Sequence, residues 1–311
     1  MSDVLVEVDG GVGRITLNRP RSINSLTIGM CEEILATVSA WADHSAIVTV
    51  ELRGAGDRGF CSGADVRQLR ELVLTDKPQA RRFFDVEYEL NALLAEYPKP
   101  IRSYMTGITM GGGMGLTVHT SHRIADETTK IAMPETTIGL FPDVGAMYEL
   151  SRAPGETGTY LALSGAVIDG ASAKYAGLVD DAVGDPDDST LAANRGWIDE
   201  CFAGSDAVAI LDRLLSHADE RARDAGELIA TKSPWSVWVS LVALRRAASM
   251  GSVREVLAQD LVLAHNFVED SDFVEGVRAQ LVDKDRRPVW RHASLADVPM
   301  SLVESMFVAN P

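Results

Sequence analysis

Two glycine-rich segments share one plan and constrain the fold more than any other feature of the sequence. Residues 59–65 read GFCSGAD and residues 107–115 read GITMGGGMG, and each lies between a strand-like stretch and a helical stretch. A strand, a tight glycine turn and a helix in succession form the repeating unit of α/β proteins. The two segments therefore predict an α/β core built from such units.

The residues before the first glycine turn fit the same plan. Residues 4–8 and 13–18 alternate apolar and polar side chains around a glycine cluster, which predicts a hairpin. Thr27 precedes apolar residues at three- and four-residue spacing, as expected of a capped helix. Further helices are predicted to begin near Asp65 and to span roughly 79–94.

After this the strand signals become shorter and then fade. Residues 101–108 read as one strand, 116–122 as a short helix, and 122–127 and 130–135 as short strands. Beyond about residue 185 the apolar residues recur only at helical spacing.

The polar, acidic stretch 181–190 contains a proline and is the strongest boundary signal. We therefore predict two parts, an α/β core over 1–185 and a helical region over 186–311.

Charge and composition exclude several classes of function. A net charge of −16 argues against a nucleic-acid partner, which needs a concentrated basic face. No apolar run approaches the ~18 residues of a membrane span. Cys31, Cys61 and Cys201 are odd in number and widely spaced, so we expect a reducing, cytoplasmic location and no metal site.

The glycine turns have two interpretations. Glycine permits close backbone approach, and a helix N-terminus presents free N–H donors. Two such turns facing one another can hold an oxyanion between a pair of amides. Alternatively, both are tight turns that bind nothing, since neither has the spacing of a dinucleotide or phosphate loop.

Two acids occupy an apolar stretch, MPETTIGLFPDVGAM, over 133–147. Gly139 and Pro142 argue against one unbroken helix between Glu135 and Asp143, so the segment is predicted to fold back and bring both carboxylates to one pocket. Apolar surroundings make a carboxyl group harder to ionise. The alternative is that Glu135 starts a helix and Asp143 is a turn or cap residue.

Other candidate residues have structural interpretations. His119 and His122 lack an acidic ligand at metal-binding spacing, and we expect both to be structural. A Ser-His-Asp triad stays open, although no GxSxG elbow occurs. Trp235 and Trp238 are predicted to pack in the core.

Five segments in this order, NRPRSINSL, GAGDRGFCSGADVRQL, YMTGITMGGGMGLTVH, IAMPETTIGLFPDVGAMYEL and LALSGAVIDGASAKYAGLVDD, resemble the enoyl-CoA hydratase/isomerase (crotonase) superfamily. The likeness runs from about residue 4 to 295. It implies a crotonase-like spiral of repeated ββα units followed by a helical C-terminal region. The details are most similar to the branch that hydrolyses a short branched 3-hydroxyacyl-CoA in valine breakdown.

The resemblance assigns expected roles to individual residues. It implies that the amides of Ala64 and Gly112 form the oxyanion hole for the thioester carbonyl. Glu135 is then the nucleophile or the general base, and Asp143 positions the substrate 3-hydroxyl or protonates the leaving thiolate. Glu87 corresponds to a further substrate-contacting carboxylate.

The resemblance also shows where this chain departs from the hydratase pattern, and it suggests a residue that binds the coenzyme A part of the substrate. Hydratases of the superfamily carry a glutamate where this chain has Gly115, and glycine where it has Asp143, which favours hydrolysis over hydration. Arg67 is expected to contact coenzyme A phosphates. Ala146 and Met147 replace a glycine-rich run and are expected to line the acyl pocket.

Three functions remain open on the sequence alone. Hydrolysis of a short 3-hydroxyacyl-CoA is the prediction, and coenzyme A is then part of the substrate, so no cofactor is expected. An isomerase that uses Glu135 alone as a proton shuttle is an alternative, as is a non-catalytic acyl-CoA-binding subunit. The resemblance further implies a homo-oligomer, either a trimer or a hexamer.

Overall fold

A computed structural model describes residues 2–309 of the chain. Seven strands lie in its N-terminal part, and five of them form one sheet in the order β1-β2-β3-β4-β6, while β5 pairs with β7. The strands are β1 (Val4–Asp9), β2 (Val12–Leu17), β3 (Thr49–Gly54), β4 (Ile101–Tyr104), β5 (Ile108–Met110), β6 (His122–Ile124) and β7 (Lys130–Ala132).

The predicted hairpin is confirmed. β1 and β2 pair antiparallel from Val4 opposite Leu17 to Asp9 opposite Val12. The connecting glycines at 10 and 11 both have positive φ, 54° and 85°, as a two-residue hairpin turn requires. All other neighbouring strands are parallel, so each connection must cross over through helical segments.

Within residues 2–309, four helices lie between strands of the N-terminal part, and the remaining eleven follow β7. The helices are α1 (Ile28–Ala42), α2 (Val66–Thr75), α3 (Lys77–Ala95), α4 (Gly112–Gly115), α5 (Met147–Leu150), α6 (Thr157–Ser164), α7 (Gly170–Tyr175), α8 (Thr190–Ala193), α9 (Arg195–Phe202), α10 (Ala207–Ser216), α11 (Glu220–Ala230), α12 (Pro234–Ala247), α13 (Val253–Phe267), α14 (Ser271–Val277) and α15 (Met300–Ser305). A 3-10 helix, Glu135–Ile138, follows β7, and a π-helical turn, Arg278–Val282, follows α14.

Two helix starts agree with the sequence prediction. Thr27 caps α1 by accepting a hydrogen bond from the amide of Met30 at 3.3 Å. Asp65 caps α2 by accepting from the amide of Gln68 at 3.4 Å. Side-chain oxygens at these positions satisfy amides that the helix itself leaves unpaired.

Two local predictions are wrong. The stretch 101–108 is not one strand, because Gly107 takes φ 57° and its backbone crosses that of Gly59 closely, which ends β4 and starts β5 in the second sheet. A Cβ at Gly107 would lie 2.8 Å from the carbonyl oxygen of Arg58. The sequence also predicts a short helix over 116–122, whereas α4 begins earlier, inside the glycine run itself.

The helical C-terminal region packs directly on the α/β part. α13 lies against α3, α14 lies against α2, and one hydrophobic cluster contains buried residues from both parts, including Phe84, Phe141 and Phe267. Trp235 and Trp238 are buried in this cluster, as predicted. The division at residue 185 stays a prediction. None of the helices within residues 2–309 combines the length and hydropathy that crossing a bilayer demands.

Glycine is required where α14 meets the 3-10 helix, and a substitution tests this contact. A Cβ at Gly276 would lie 2.4 Å from the backbone carbon of Ile138, and backbone cannot move aside cheaply. We expect Gly276→Ala to lower the free energy of unfolding in urea by about 1–3 kcal/mol.

The matched control is Gly196→Ala in α9. A Cβ there meets no atom within 4 Å, so the variant should gain about 0.5–1 kcal/mol from reduced backbone freedom in the unfolded chain. A Gly276→Ala protein as stable as the wild type would show that the close contact does not exist.

Candidate active site

A cavity of about 240 Å³ opens where the two glycine turns, α3, the 3-10 helix and the π-helical turn meet. Its walls are mainly apolar and include Leu69, Phe84 and Leu140. Its polar part consists of backbone from both turns and carboxylates from α3 and from the segment after β7. A small apolar pocket with a few convergent polar groups is the usual form of a small-molecule site.

The two glycine turns are joined side by side through their backbones. The amide of Cys61 donates to the carbonyl of Ile108 at 3.1 Å, and the amide of Met110 donates to the carbonyl of Cys61 at 3.0 Å. A Cβ placed on Gly112 would lie 3.4 Å from the nitrogen of Ala64. The amides of Ala64 and Gly112 are therefore neighbours at one wall of the cavity.

Neither of these two amides has a hydrogen-bond acceptor among residues 2–309. Gly112 is the first residue of α4, so no helical carbonyl reaches its N–H. Two unpaired donors on adjacent backbones can bind one substrate oxygen together.

The chain folds back between Glu135 and Asp143, and both residues line the cavity. The 3-10 helix that begins at Glu135 ends at Gly139, whose φ of 72° reverses the chain. Each acid is only 5% exposed. The structure thus brings together two carboxylates that the sequence separates by a Gly and Pro turn.

Glu87 of α3 supplies a third carboxylate to the same cavity and is 1% exposed. Its Oε1 atom has no hydrogen-bond partner among the described residues, and the same holds for Oε2 of Glu135. Burial without a partner disfavours the charged form of an acid, so these two side chains are poorly suited to carrying a charge.

The pKa values of the three acids differ in a way that follows from their contacts. Burial and the nearby Asp143 raise the pKa values of both Glu87 and Glu135 well above the usual carboxyl range. Burial also raises the pKa of Asp143, to about 6, but a hydrogen bond from Tyr88 opposes the rise. Three like groups buried in one cavity cannot all be ionised, and Asp143 is the one best able to hold a charge.

The loop after Asp143 is held in a strained conformation from two sides. Val144 has φ 55°, which is unfavourable for a β-branched residue. Its carbonyl accepts a hydrogen bond from Nε2 of His119 at 3.0 Å, and the next amide, that of Gly145, donates to Oδ2 of Asp260 at 2.8 Å. His119 therefore has a structural contact, as the sequence predicted.

Sequence reasoning missed Tyr88 and Asp260. Asp260 is fully buried on α13, and its only signal was a lone acid within an apolar helical pattern. Tyr88 had no signal beyond its place beside Glu87.

Position 115 has no space for a side chain. A Cβ on Gly115 would lie 2.6 Å from Cβ of Val144 and 2.9 Å from Nδ2 of Asn91. The strained loop that presents Asp143 therefore fills the volume into which an acid at 115 would project.

The expectation that Ala146 and Met147 line the acyl pocket is wrong. Both are at most 1% exposed and belong to the hydrophobic core, and neither contributes to the cavity wall. The reason is that α5 begins at Met147 and packs against α6 and α12, so these side chains face the helices and not the cavity.

A second cavity of about 540 Å³ adjoins the first and shares Ser62, Ala64, Val66 and Leu281 with it. Its wall contains three arginines, Arg21, Arg58 and Arg67. None of the three forms an ion pair within residues 2–309, and the Nη2 atom of Arg67 donates to the carbonyl of Leu281 at 2.6 Å. The three arginines therefore place positive charge at the wall of this cavity.

The fold is that of the crotonase class. The chain belongs to the enoyl-CoA hydratase/isomerase family, whose sequence model matches residues 12–187 and 181–307. This confirms both the resemblance and the fold that it implies.

Sequence relatives and solved structures give different names within this family. The chain is 34% identical to the mitochondrial 3-hydroxyisobutyryl-CoA hydrolase of Xenopus laevis, over 96% of this chain and 87% of the relative. It is also 34% identical to the human protein of that name, over 95% and 86%.

Among solved structures, a carnitinyl-CoA dehydratase from Mycobacterium thermoresistibile is similar with 42% identity and a TM-score of 0.96, over 100% of this chain and 97% of that one. An enoyl-CoA hydratase from Rhodobacter sphaeroides is similar with 36% identity and a TM-score of 0.94, over 99% and 98%.

The crowding at position 115 leads to a prediction about stability. Gly115→Ala should lower the free energy of unfolding by about 1–3 kcal/mol, because its Cβ would overlap Val144. In the double variant Gly115→Ala/Val144→Gly the overlapping side chain is gone, so part of the loss should be recovered. A urea-unfolding double-mutant cycle measures the coupling. Strictly additive effects would contradict the proposed contact.

Proposed function

We propose that the chain is an acyl-CoA thioester hydrolase that converts 3-hydroxyisobutyryl-CoA and water to 3-hydroxyisobutyrate and coenzyme A. The observation that carries this proposal is the arrangement at residues 115 and 143–144. Asp143 faces the cavity, and Val144 fills the space of the second acid that a hydratase of the superfamily uses. The curated relatives named 3-hydroxyisobutyryl-CoA hydrolase support the same choice.

The thioester carbonyl is polarised by the paired amides. Its oxygen lies between the N–H groups of Ala64 and Gly112, which stabilise the negative charge that develops when the carbonyl carbon is attacked. Glu87 lies beside Gly112 and keeps its proton because its pKa is raised. A neutral carboxyl group at this point avoids repulsion of the oxyanion.

Glu135 acts on the carbonyl carbon in one of two ways. As a nucleophile, Glu135 first gives up its proton and its carboxylate attacks; the C–S bond then breaks and the leaving thiolate takes up one proton, which leaves a mixed anhydride that water hydrolyses to the free acid and Glu135. As a general base, it removes a proton from the attacking water. A single turnover in ¹⁸O-labelled water places ¹⁸O in Glu135 only by the first route. Either route needs substrate and water alone.

Asp143 binds the acyl group. Its carboxylate accepts a hydrogen bond from the 3-hydroxyl of the substrate, or as an acid it protonates the departing thiolate. Its place in the cavity wall, close enough to Glu135 to raise that residue's pKa, is consistent with both roles.

An enzyme of the dehydratase, hydratase or isomerase type is the second candidate, because the two solved structures described above carry dehydratase and hydratase names. The reactions give different products. Incubation with 3-hydroxyisobutyryl-CoA and a thiol reagent releases free thiol only if the thioester is hydrolysed. Loss or movement of a double bond without free thiol would favour the second candidate.

Removal of the charge at Glu135 tests the proposed chemistry. We expect Glu135→Gln to lower kcat at least ~100-fold, because an amide can neither attack nor remove a proton, while substrate affinity stays nearly unchanged. The matched control is Glu51→Gln in β3, a comparably buried glutamate outside the cavity, which should keep wild-type kcat. Retention of most activity by Glu135→Gln would disprove the assignment.

We further propose that the arginine-lined cavity binds the phosphates of coenzyme A. Within residues 2–309 Arg58 and Arg67 form no ion pair, and both line the cavity that adjoins the carboxylate-lined one. Arginine suits this role because its planar fork matches phosphate oxygens.

If these arginines bind the coenzyme A phosphates, their removal should change KM and leave kcat nearly unchanged. The double variant Arg58→Gln/Arg67→Gln should raise KM for the acyl-CoA about tenfold and leave kcat within about twofold, since binding to a remote part of the substrate is lost. An acyl-pantetheine substrate, which lacks the nucleotide, should react equally with both proteins. Arg82→Gln, at an arginine paired with Glu32 on the outside of α3, is the control. An equal rise of KM for acyl-pantetheine would refute the assignment.

We also propose the remaining attributes that the family resemblance implies. They are a role in valine catabolism, assembly as a trimer or hexamer and a cytoplasmic location. The location rests on the three cysteines, which are all buried and unpaired.

A further inference from the structure

Tyr88 is a buried phenol whose hydroxyl contacts the acid that distinguishes this site. It is 3% exposed and follows Glu87 on α3, and its ring packs against Phe84 with the centroids 5.7 Å apart. Its Oη atom lies 2.6 Å from Oδ2 of Asp143, across 55 residues of sequence. The mechanism described above uses Asp143 but assigns nothing to Tyr88.

The chemistry of the two groups fixes the direction of this hydrogen bond. Burial and the neighbouring acids raise the pKa of Tyr88 well above its usual value, so the phenol keeps its proton and is the donor of the hydrogen bond. Oδ2 of Asp143 is therefore the acceptor and is occupied by the enzyme itself. Oδ1 forms no hydrogen bond with another residue among residues 2–309 and is available to a substrate in the cavity that Asp143 lines.

Other contacts leave the Asp143 side chain little freedom to turn. The two residues that follow it are held by His119 and by Asp260, as described above. Because the backbone is clamped and Oδ2 is engaged, rotation of the carboxylate would break the bond to Tyr88. A fixed acceptor can discriminate between substrates that do and do not present a donor to it.

We propose that Tyr88 is a positioning residue that holds Oδ2 of Asp143, so that Oδ1 serves as a fixed acceptor selecting acyl groups that carry a hydroxyl. This inference rests on the proposed hydrolase function and deepens it. An acyl-CoA without a hydroxyl leaves the carboxylate oxygen desolvated and unpaired, which opposes its binding. The substrate class is therefore short hydroxyacyl thioesters, and plain acyl thioesters are disfavoured.

The test compares two thioesters that differ in one hydroxyl, 3-hydroxyisobutyryl-CoA and isobutyryl-CoA. We expect the ratio of their kcat/KM values to fall about tenfold or more in Tyr88→Phe, which removes only the hydroxyl and keeps the ring packing. The matched control is Tyr97→Phe. This variant removes the 2.8 Å hydrogen bond from the Tyr97 hydroxyl to the carbonyl of Val38, which lies outside the cavity. The ratio of the two kcat/KM values should stay unchanged.

A pH profile separates positioning from a merely structural role. The phenol stabilises the ionised form of Asp143, so its loss should raise the pKa of this acid above about 6. The groups that face Asp143 are Glu87 and Tyr88 from α3, Glu135 from the 3-10 helix and Asp260 from α13.

Tyr88→Phe changes only the phenol hydroxyl among these groups. Activity that needs the ionised carboxylate is present above its pKa and lost as the pH falls through it, so the acid limb should move to higher pH. Difference infrared titration of the carboxyl groups in the free enzyme should show the same upward shift without any turnover.

The outcomes distinguish this inference from the function on which it rests. If the wild-type protein releases no thiol from either thioester, the proposed function and the selectivity both fail. If the wild type hydrolyses 3-hydroxyisobutyryl-CoA but Tyr88→Phe keeps its substrate ratio and acid limb, the function stands and the role of Tyr88 is overturned. A lower kcat for both substrates with an unmoved acid limb would likewise overturn it, since that is the signature of a general packing defect.

Discussion

The backbone pairing between the two glycine turns is the constraint on which the site depends. The bonds from Cys61 to Ile108 and from Met110 to Cys61 fix one turn against the other and leave the amides of Ala64 and Gly112 side by side. Side chains at these turns would push the backbones apart, because a Cβ at Gly113 would lie 2.5 Å from the carbonyl oxygen of Cys61. The donors are thus positioned by the fold itself and need no reorganisation when a substrate oxygen arrives.

Burial then decides how charge is distributed opposite these donors. Glu87, Glu135 and Asp143 are buried in one cavity, and among the described residues no arginine or lysine forms an ion pair with any of them. The site therefore favours proton sharing over full ionisation, with the charge placed where Tyr88 can stabilise it. A negative charge on Asp143 in turn makes Glu135 a stronger base once it loses its proton.

Local patterns made much of the architecture predictable. The alternation around the glycine hairpin, the caps at Thr27 and Asp65 and the helical spacing after residue 190 are all short-range signals, and the structure follows them. The Gly and Pro pair between Glu135 and Asp143 also predicted that the segment folds back. These features depend on backbone conformation within a few residues, which is the range over which sequence patterns are informative.

What could not be predicted depends on contacts between distant residues. Tyr88 lies 55 residues from its acceptor, and Asp260 lies 115 residues from the amide of Gly145 that it holds. The orientation of Ala146 and Met147 was likewise decided by helices that pack on α5 from further along the chain. No periodicity within a single segment carries this information, because it arises only when segments far apart in the chain pack against one another.

These long-range contacts also decide whether position 115 can carry a side chain. Presenting Asp143 to the cavity requires the strained conformation at Val144, and that conformation places the Val144 side chain against Gly115. An acid at 115 and the present loop therefore compete for one volume. The loop is in turn held by His119 and Asp260, so placing an acid at 115 would require releasing those contacts as well. Steric exclusion, and not only the choice of acids, separates the two arrangements.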